Sequence, residues 1–149
     1  MSIEQTFTII KPGILQRRLV GSIISTFEAK GFRIIAMKMI KFSNTVAEKH
    51  YGEHKGKDFY TPLIKYMTSD PVIVMVLERE NAIESLRKIA GSTNPDKAEA
   101  GTIRGTYGVS TRKNIIHASD SIESAVKEIE LFFKPEELHT YNDNLGEWF

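Results

Sequence analysis

The sequence predicts an α+β sandwich, a small sheet with helices packed over it. Short β-rich runs alternate with segments of helical period, in the succession strand, helix, strand, helices, strand, helix, strand, helix. The most apolar run, Val72 to Leu77, is continuous rather than alternating, as a central strand covered on both faces requires. A chain of 149 residues suffices for one hydrophobic core and is short for two, so a single domain over 1–149 is expected.

Phe7, Ile9 and Ile10 form the first β-rich run. Lys11-Pro12-Gly13 ends it, since proline removes a donor and glycine permits a turn. Leu19, Ile23, Ile24 and Phe27 recur at helical spacing up to Gly31, which suits a residue just past a helix. A long strand is expected from Phe32 to Phe42, with Ile35, Met37 and Met39 on one face and Ile34, Ala36, Ile40 and Phe42 on the other. Ser43 is placed to cap a short helix over Asn44 to His50. Phe59, Leu63 and Met67 mark another helix, with Pro62 in its first turn and the polar loop Gly52 to Asp58 before it.

After Pro71 and the apolar run, Asn81 is expected to cap a helix whose Ile83, Leu86 and Ile89 face inward and which Gly91 ends. Ser92 to Asn114 shows no periodic element, and a loop of that length in a compact domain is usually functional. Ile115 to His117 is the last strand. Asp120 and Glu123 form a capping-box pattern for the last helix, with Ile122, Val126, Ile129 and Phe133 inward and Glu128 bordering that stripe. Beyond Pro135 a tail carries Tyr141, Trp148 and Phe149. Its aromatics are expected to pack, a subunit boundary being one place for them.

Charge and composition remove several function classes. Hydrophobic residues at 41% and charged residues at 26% are ordinary for globular proteins, which excludes disordered and membrane classes. A formal net charge of +1 gives no chain-wide field, so any attraction for anions is local and no specific nucleic acid or membrane partner is expected. Absence of cysteine and of a signal-like N-terminus fits a cytoplasmic protein.

The chemistry gathers near His117. A neutral imidazole is a competent nucleophile near pH 7. Asn114, Lys113, Arg112 and Arg104 supply a polar donor and three cations upstream, as a phosphate-rich ligand needs. Five segments then occur together: Thr8-Ile9-Ile10-Lys11-Pro12, His50-Tyr51, the turn GSTNP from Gly91 to Pro95, GTIRG from Gly101 to Gly105, and NIIHASDS from Asn114 to Ser121. On these residues the chain resembles the nucleoside diphosphate kinases over nearly its whole length.

That resemblance implies a ferredoxin-like βαββαβ fold, an antiparallel four-stranded sheet covered by helices, with a long loop at about 92–114 and a C-terminal tail. It implies transfer of the γ-phosphate of a nucleoside triphosphate to a nucleoside diphosphate, by a ping-pong route through a phosphohistidine at His117. Glu128 would orient the ring, with Lys11 and Tyr51 near the transferred group. Arg87, Thr93 and Arg104 would hold the phosphates, Lys11 and Asn114 would meet the ribose, and Phe59 would stack on the base. Taken singly, Arg87 reads as a surface cation, Thr93 as a turn residue and Tyr51 as a core aromatic. Mg2+ would arrive on the nucleotide phosphates, since no dedicated metal-ligand cluster stands out and magnesium uses few protein ligands. ATP and other nucleoside tri- and diphosphates would be the partners, and the chain would assemble as a homo-oligomer, a tetramer or hexamer built from dimers.

Three positions depart from the family's pattern. Gly13-Ile14 stands where Asp-Gly is common, Thr111 where an apolar residue usually meets the base, and Ala118 where glycine usually follows the histidine, its methyl a source of crowding at the phosphohistidine. They motivate the alternative of a catalytically weakened nucleotide-binding or scaffold protein of the same fold. A rival motif, His50-Tyr51-Gly52-Glu53-His54, matches the spacing of a zinc-peptidase helix. Gly52 and Gly56 weaken the helix it needs, and Lys55 and Lys57 bring cations beside the metal, so it is read as a chance match.

Overall fold

The computed structural model describes residues 2–149. Its sheet has the order β2-β3-β1-β4, formed by β1 (Ile3–Ile10), β2 (Arg33–Ile40), β3 (Val72–Glu80) and β4 (Ile116–Ala118), with every neighbouring pair antiparallel. The helices are α1 (Val20–Ala29), α2 (Asn44–His50), α3 (Tyr60–Met67), α4 (Ala82–Ala90), α5 (Ile103–Tyr107) and α6 (Ile122–Phe132), joined by short 3-10 turns. This is the ferredoxin-like α+β sandwich that the resemblance implies.

The sheet separates two cores, and β3 shows why its run is apolar throughout. Ile73, Met75 and Leu77 point into a core with Ile23 and Phe27 of α1 and Leu86 of α4. Val72, Val74 and Val76 point into the other, with Phe7, Ile9, Ala47 of α2, Met67 of α3 and Phe132 of α6. Side chains alternate between faces along a strand, so covering both faces demands an apolar residue at every position. Fully burying each of the Val, Ile, Leu, Met and Phe side chains among them contributes about 1.5–3 kcal/mol.

The structure corrects five details of the sequence reading. A bulge lies in β2 between Ile34, paired with Leu77, and Ala36, paired with Val76. The extra residue puts Ile34 and Ala36 in different cores rather than on a shared face, and it leaves Met37 and Met39 exposed while Ile35 is buried. Asn81 holds the N-cap position of α4 in a left-handed conformation (φ 54°) without capping it. Its Nδ2 donates to Glu84, and the carboxylate of Glu4 accepts from the Ile83 N–H.

Within Ser92 to Asn114 the chain forms α5, capped by Thr102, whose hydroxyl accepts from the Gly105 N–H. Five residues are too few for a helical period to show. The cap of α6 is Ser121, accepting from the Ser124 N–H, rather than Asp120. Finally, α6 buries Ala125 and Phe132, while Ile122 and Val126 are exposed.

The tail touches its own chain, while Trp148 and Phe149 keep 79% and 76% of their surface exposed. Tyr141 donates to the Ile34 carbonyl and lies under the Arg33 guanidinium, and the Phe149 ring rests beside Gly31.

Candidate active site

Strand β4 is only three residues long, and its position is fixed by pairing Ala118 with Thr8, His117 with Ile9 and Ile116 with Ile10. Just before it the chain makes a γ-turn: the Ile116 N–H donates to the Asn114 carbonyl at 3.0 Å, with Ile115 at φ 79°. A β-branched residue there is strained by about 1–3 kcal/mol. Complete burial of Ile115 and a hydrogen bond from the Lys11 N–H to its carbonyl oppose that cost. Arg104 closes over the turn. Its Nε donates to the Asn114 carbonyl at 3.1 Å, Nη2 to Ile116 at 2.8 Å and Nη1 to Gly91 at 2.8 Å. A guanidinium carries five N–H donors, so donors remain for an anion.

His117 faces α6. Its Nε2 lies 2.8 Å from Oε2 of Glu128, and the imidazole keeps 22% of its surface exposed. The other oxygen of Glu128 accepts from the Ser119 hydroxyl at 2.5 Å, and Ser119 in turn accepts from the Phe7 N–H at 3.3 Å. A carboxylate held at both oxygens fixes the ring it touches. Proton donation from Nε2 to a carboxylate is the favourable arrangement for a neutral imidazole, and it leaves the Nδ1 lone pair free.

His50, at the end of α2, stacks edge-on against His117 with ring centroids 4.8 Å apart, and its Nδ1 lies 3.9 Å from Oε2 of Glu128. Burial pushes the His50 pKa down to about 3, helped by His117, Lys11 and His54. Tyr51 follows it with a buried hydroxyl that has no hydrogen-bond partner among the described residues, and burial, then the Glu128 charge, raises its pKa. Sequence reasoning gave no role to Ser119 and treated His50 only within motifs. For Ser119 a signal existed, since residues 117 and 119 share a strand face at period two.

The cations lie on the other side of the turn. Lys11 is buried with its Nζ donating to Oδ1 of Asn114 at 2.7 Å, and burial, then the Arg104 charge, lowers its pKa to about 7. Burial, then Arg87, lowers Arg104 to about 10. Asn114 passes the connection on, its Nδ2 donating to the Thr93 carbonyl at 3.1 Å. Arg87 of α4 donates to the Ala118 carbonyl at 3.1 Å. Among the described residues none of Lys11, Arg87 and Arg104 has a carboxylate within ion-pairing distance. Three neighbouring cations without a direct ion pair concentrate positive charge in a chain of near-zero net charge.

Phe59 stands at the start of α3 with 45% of its surface exposed, beside His54 and under the Lys57 ammonium. Thr93 is exposed and joins the site only through its backbone. A depression of about 860 Å3 borders Arg87 and Gly91, but Glu4, Glu84, Glu99 and Asp120 line it as well, which suits polyphosphate poorly. Of the departures, Gly13 has φ 91° with open space around it, a conformation that favours glycine. The Ala118 methyl packs into the core of α1 and α4, on the strand face opposite His117, so it does not crowd the imidazole.

The family model for nucleoside diphosphate kinase matches residues 4–138. Nucleoside diphosphate kinases of Methanocaldococcus jannaschii, 58% identical over 91% of this chain and 96% of that one, and of Pelotomaculum thermopropionicum, 52% identical over 97% of both, are among its relatives. A halophilic nucleoside diphosphate kinase from Halobacterium salinarum, solved in complex with CDP, superposes with a TM-score of 0.96 at 36% identity, covering 99% of this chain and 98% of that one. A nucleoside diphosphate kinase family protein from Babesia bovis gives 0.94 at 41% identity, covering 97% and 98%. The enzyme is favoured over a weakened scaffold, because named enzymes share about half of this sequence along nearly all its length. This chain belongs to the nucleoside diphosphate kinase family.

Proposed function

We propose that His117 is the residue that carries the phosphoryl group in this enzyme, which transfers the γ-phosphate of a nucleoside triphosphate to a nucleoside diphosphate by a ping-pong route. The observation that carries the assignment is the 2.8 Å bond between Nε2 of His117 and Glu128. With the proton on Nε2, the Nδ1 lone pair attacks the γ-phosphorus. The bond to the β,γ-bridging oxygen breaks and the nucleoside diphosphate leaves with that electron pair. The positive charge gained by the ring is balanced by Glu128. A second nucleoside diphosphate then attacks the phosphohistidine in the reverse sense, and splitting the exchange this way keeps both halves at one site.

Arg87, Arg104 and Lys11 would neutralise the phosphates, with the unpartnered Tyr51 hydroxyl directed to the transferred group and Thr93 beside them. Lys11 and Asn114, already bonded to each other, would share the ribose hydroxyls, and Phe59 would stack on the base. Mg2+ would come with the nucleotide, where it spreads charge over the β- and γ-phosphates. The fit lies in the donor set, since the phosphate side of the site is built from cations, amides and hydroxyls and needs a counter-charged ligand. We further infer a single cytoplasmic domain over 1–149 that assembles as a homo-oligomer, a tetramer or hexamer built from dimers. No helix among the described residues is long and apolar enough to cross a membrane.

Incubation with γ-labelled nucleoside triphosphate should leave one acid-labile phosphate on the protein, and His117→Ala should abolish both label and exchange. Exchange persisting in that variant would end the assignment.

A further inference from the structure

The zinc-like spacing His50-x-x-Glu53-His54 is taken apart by the fold. Helix α2 ends at His50, a 3-10 turn occupies Gly52–His54, and His54 turns to Glu53 and the Phe59 ring. His50 instead meets different partners. One ligand atom each from His50, His117 and Glu128 lie within 4.8 Å of one another, the one such group of histidines and acids among the described residues. Oε2 of Glu128 is 2.8 Å from His117 Nε2 and 3.9 Å from His50 Nδ1. The His50 side chain is 2% exposed, and among the described residues its buried Nε2 has no hydrogen-bond partner.

We propose that His50, His117 and Glu128 form an inhibitory binding site for Zn2+. Two imidazole nitrogens and a carboxylate oxygen are a zinc donor set, with water in the fourth position, whereas Mg2+ demands oxygen ligands and does not compete there. Zinc bonds of about 2.0–2.1 Å in a tetrahedron set neighbouring ligand atoms about 3.3 Å apart. The 2.8 Å pair must therefore open and the 3.9 Å pair close by about half an ångström each, and the two imidazole nitrogens, which lie within 4.8 Å, must close by up to about 1.5 Å, a movement that side-chain rotation of His50 and His117 supplies. His117 and Glu128 keep 22% and 14% of their side-chain surface exposed, so the trio is not sealed from solvent.

Occupation removes the nucleophile. A metal on Nε2 uses that nitrogen's lone pair, so the proton of the neutral ring must reside on Nδ1. An Nδ1 bearing hydrogen has no in-plane lone pair with which to attack phosphorus. The same ion withdraws Glu128 from its place behind the ring. Binding at the trio stands on the geometry alone, while the inhibition rests on His117 acting as proposed above.

The binding measurements use the full chain without nucleotide, so that the ion cannot act there by displacing Mg2+ from ATP, and exchange is assayed separately with Mg2+ in large excess over Zn2+. Co2+ should give the intense visible absorption of a tetrahedral site at one equivalent, and one equivalent of Zn2+ should displace it. Long-range proton–nitrogen spectra of the unsubstituted protein should show His117 Nε2 and His50 Nδ1 moving to metal-bound positions. His50→Phe suits the surrounding rings of Phe42, Tyr51 and Phe132 and removes a ligand. It should raise the Zn2+ concentration for half-inhibition of exchange by at least about tenfold, relative to its own metal-free rate.

Loss of exchange at one bound equivalent, with these shifts, supports the site. Absence of a tetrahedral Co2+ band, shifts confined to His54 or His139, or unchanged zinc sensitivity in His50→Phe would overturn it. If His117→Ala abolished phosphoenzyme while Zn2+ failed to bind, the metal site would fall and the phosphate carrier would stand.

Discussion

Lys11 is the residue at which the electrostatics of the site become measurable. Burial and the neighbouring Arg104 lower its pKa to about 7 in the free protein, against 10.5 for an exposed lysine. A bound polyphosphate favours the charged form, so nucleotide binding at pH 8 should take up close to one proton, and at pH 6, where Lys11 is already charged, close to none. Calorimetric binding enthalpies in buffers of different ionisation heat check this, and buffer independence at pH 8 would refute it. The linkage has a second consequence. Between about 7 and 10.5 the unfolded chain binds more protons here than the folded one, so this lysine's contribution to stability rises with pH across that window. Sequence brought Arg104, Asn114 and His117 together as a local cluster of polar and cationic groups beside an imidazole, whereas Lys11 was legible only through the resemblance to the family. Sequence could not reveal that Asn114 links Lys11 to Thr93, since those bonds join residues far apart in the chain.

At the scale of elements, the strained turn before β4 depends on a side chain from α5. The guanidinium of Arg104 spans three carbonyls, two of them flanking Ile115, so its loss should act twice. Arg104→Ala should lower turnover by about two to three orders of magnitude through lost charge stabilisation. It should also destabilise the fold by about 1–3 kcal/mol, through carbonyls left without donors. Arg104→Lys separates the two roles. It keeps a charge but cannot reach three carbonyls, so it should recover part of the turnover and little of the thermal stability. Full recovery of both would deny the brace, and a loss in Arg104→Ala below threefold would deny the catalytic role.

The same segment shows what local pattern can express. Gly105 is required because a Cβ there would collide with the Glu99 carbonyl, so Gly105→Ala should lower the melting temperature, and an unchanged melting curve would reject that account. Helical spacing located α1 and α4, and an unbroken apolar run located β3, because those elements are long. Such patterns failed at α5, which is shorter than two turns, and at the β2 bulge, where one inserted residue reverses the alternation without any mark in composition.

At the scale of the whole molecule, the free side of the sheet is the place to look for assembly. β2 is an edge strand, and after the bulge it presents Met37 and Met39 with 53% and 59% of their surface exposed. Edge strands of single molecules are normally defended by charge, a bulge or a cover, and here the bulge turns two methionines outward where the intervening Lys38 is engaged by Glu137. A second copy would supply a cover of matching chemistry, and the homo-oligomer proposed above would need at least one such dimer contact. Met37→Glu combined with Met39→Glu would set four carboxylates against one another across a two-fold interface. The double variant should therefore sediment as a smaller species than the unsubstituted chain while keeping its far-ultraviolet circular dichroism. Light scattering that finds the unsubstituted chain monomeric at micromolar concentration, or the variant undiminished in size, would remove this edge as the contact. His117 lies on β4, at the opposite edge of the sheet, so phosphoenzyme formation in the dissociated variant reports separately on whether one chain alone completes the site. A dissociated variant that still takes up phosphate would show that assembly serves stability, whereas loss of labelling with the fold intact would mean that the neighbouring chain helps to hold the site in place.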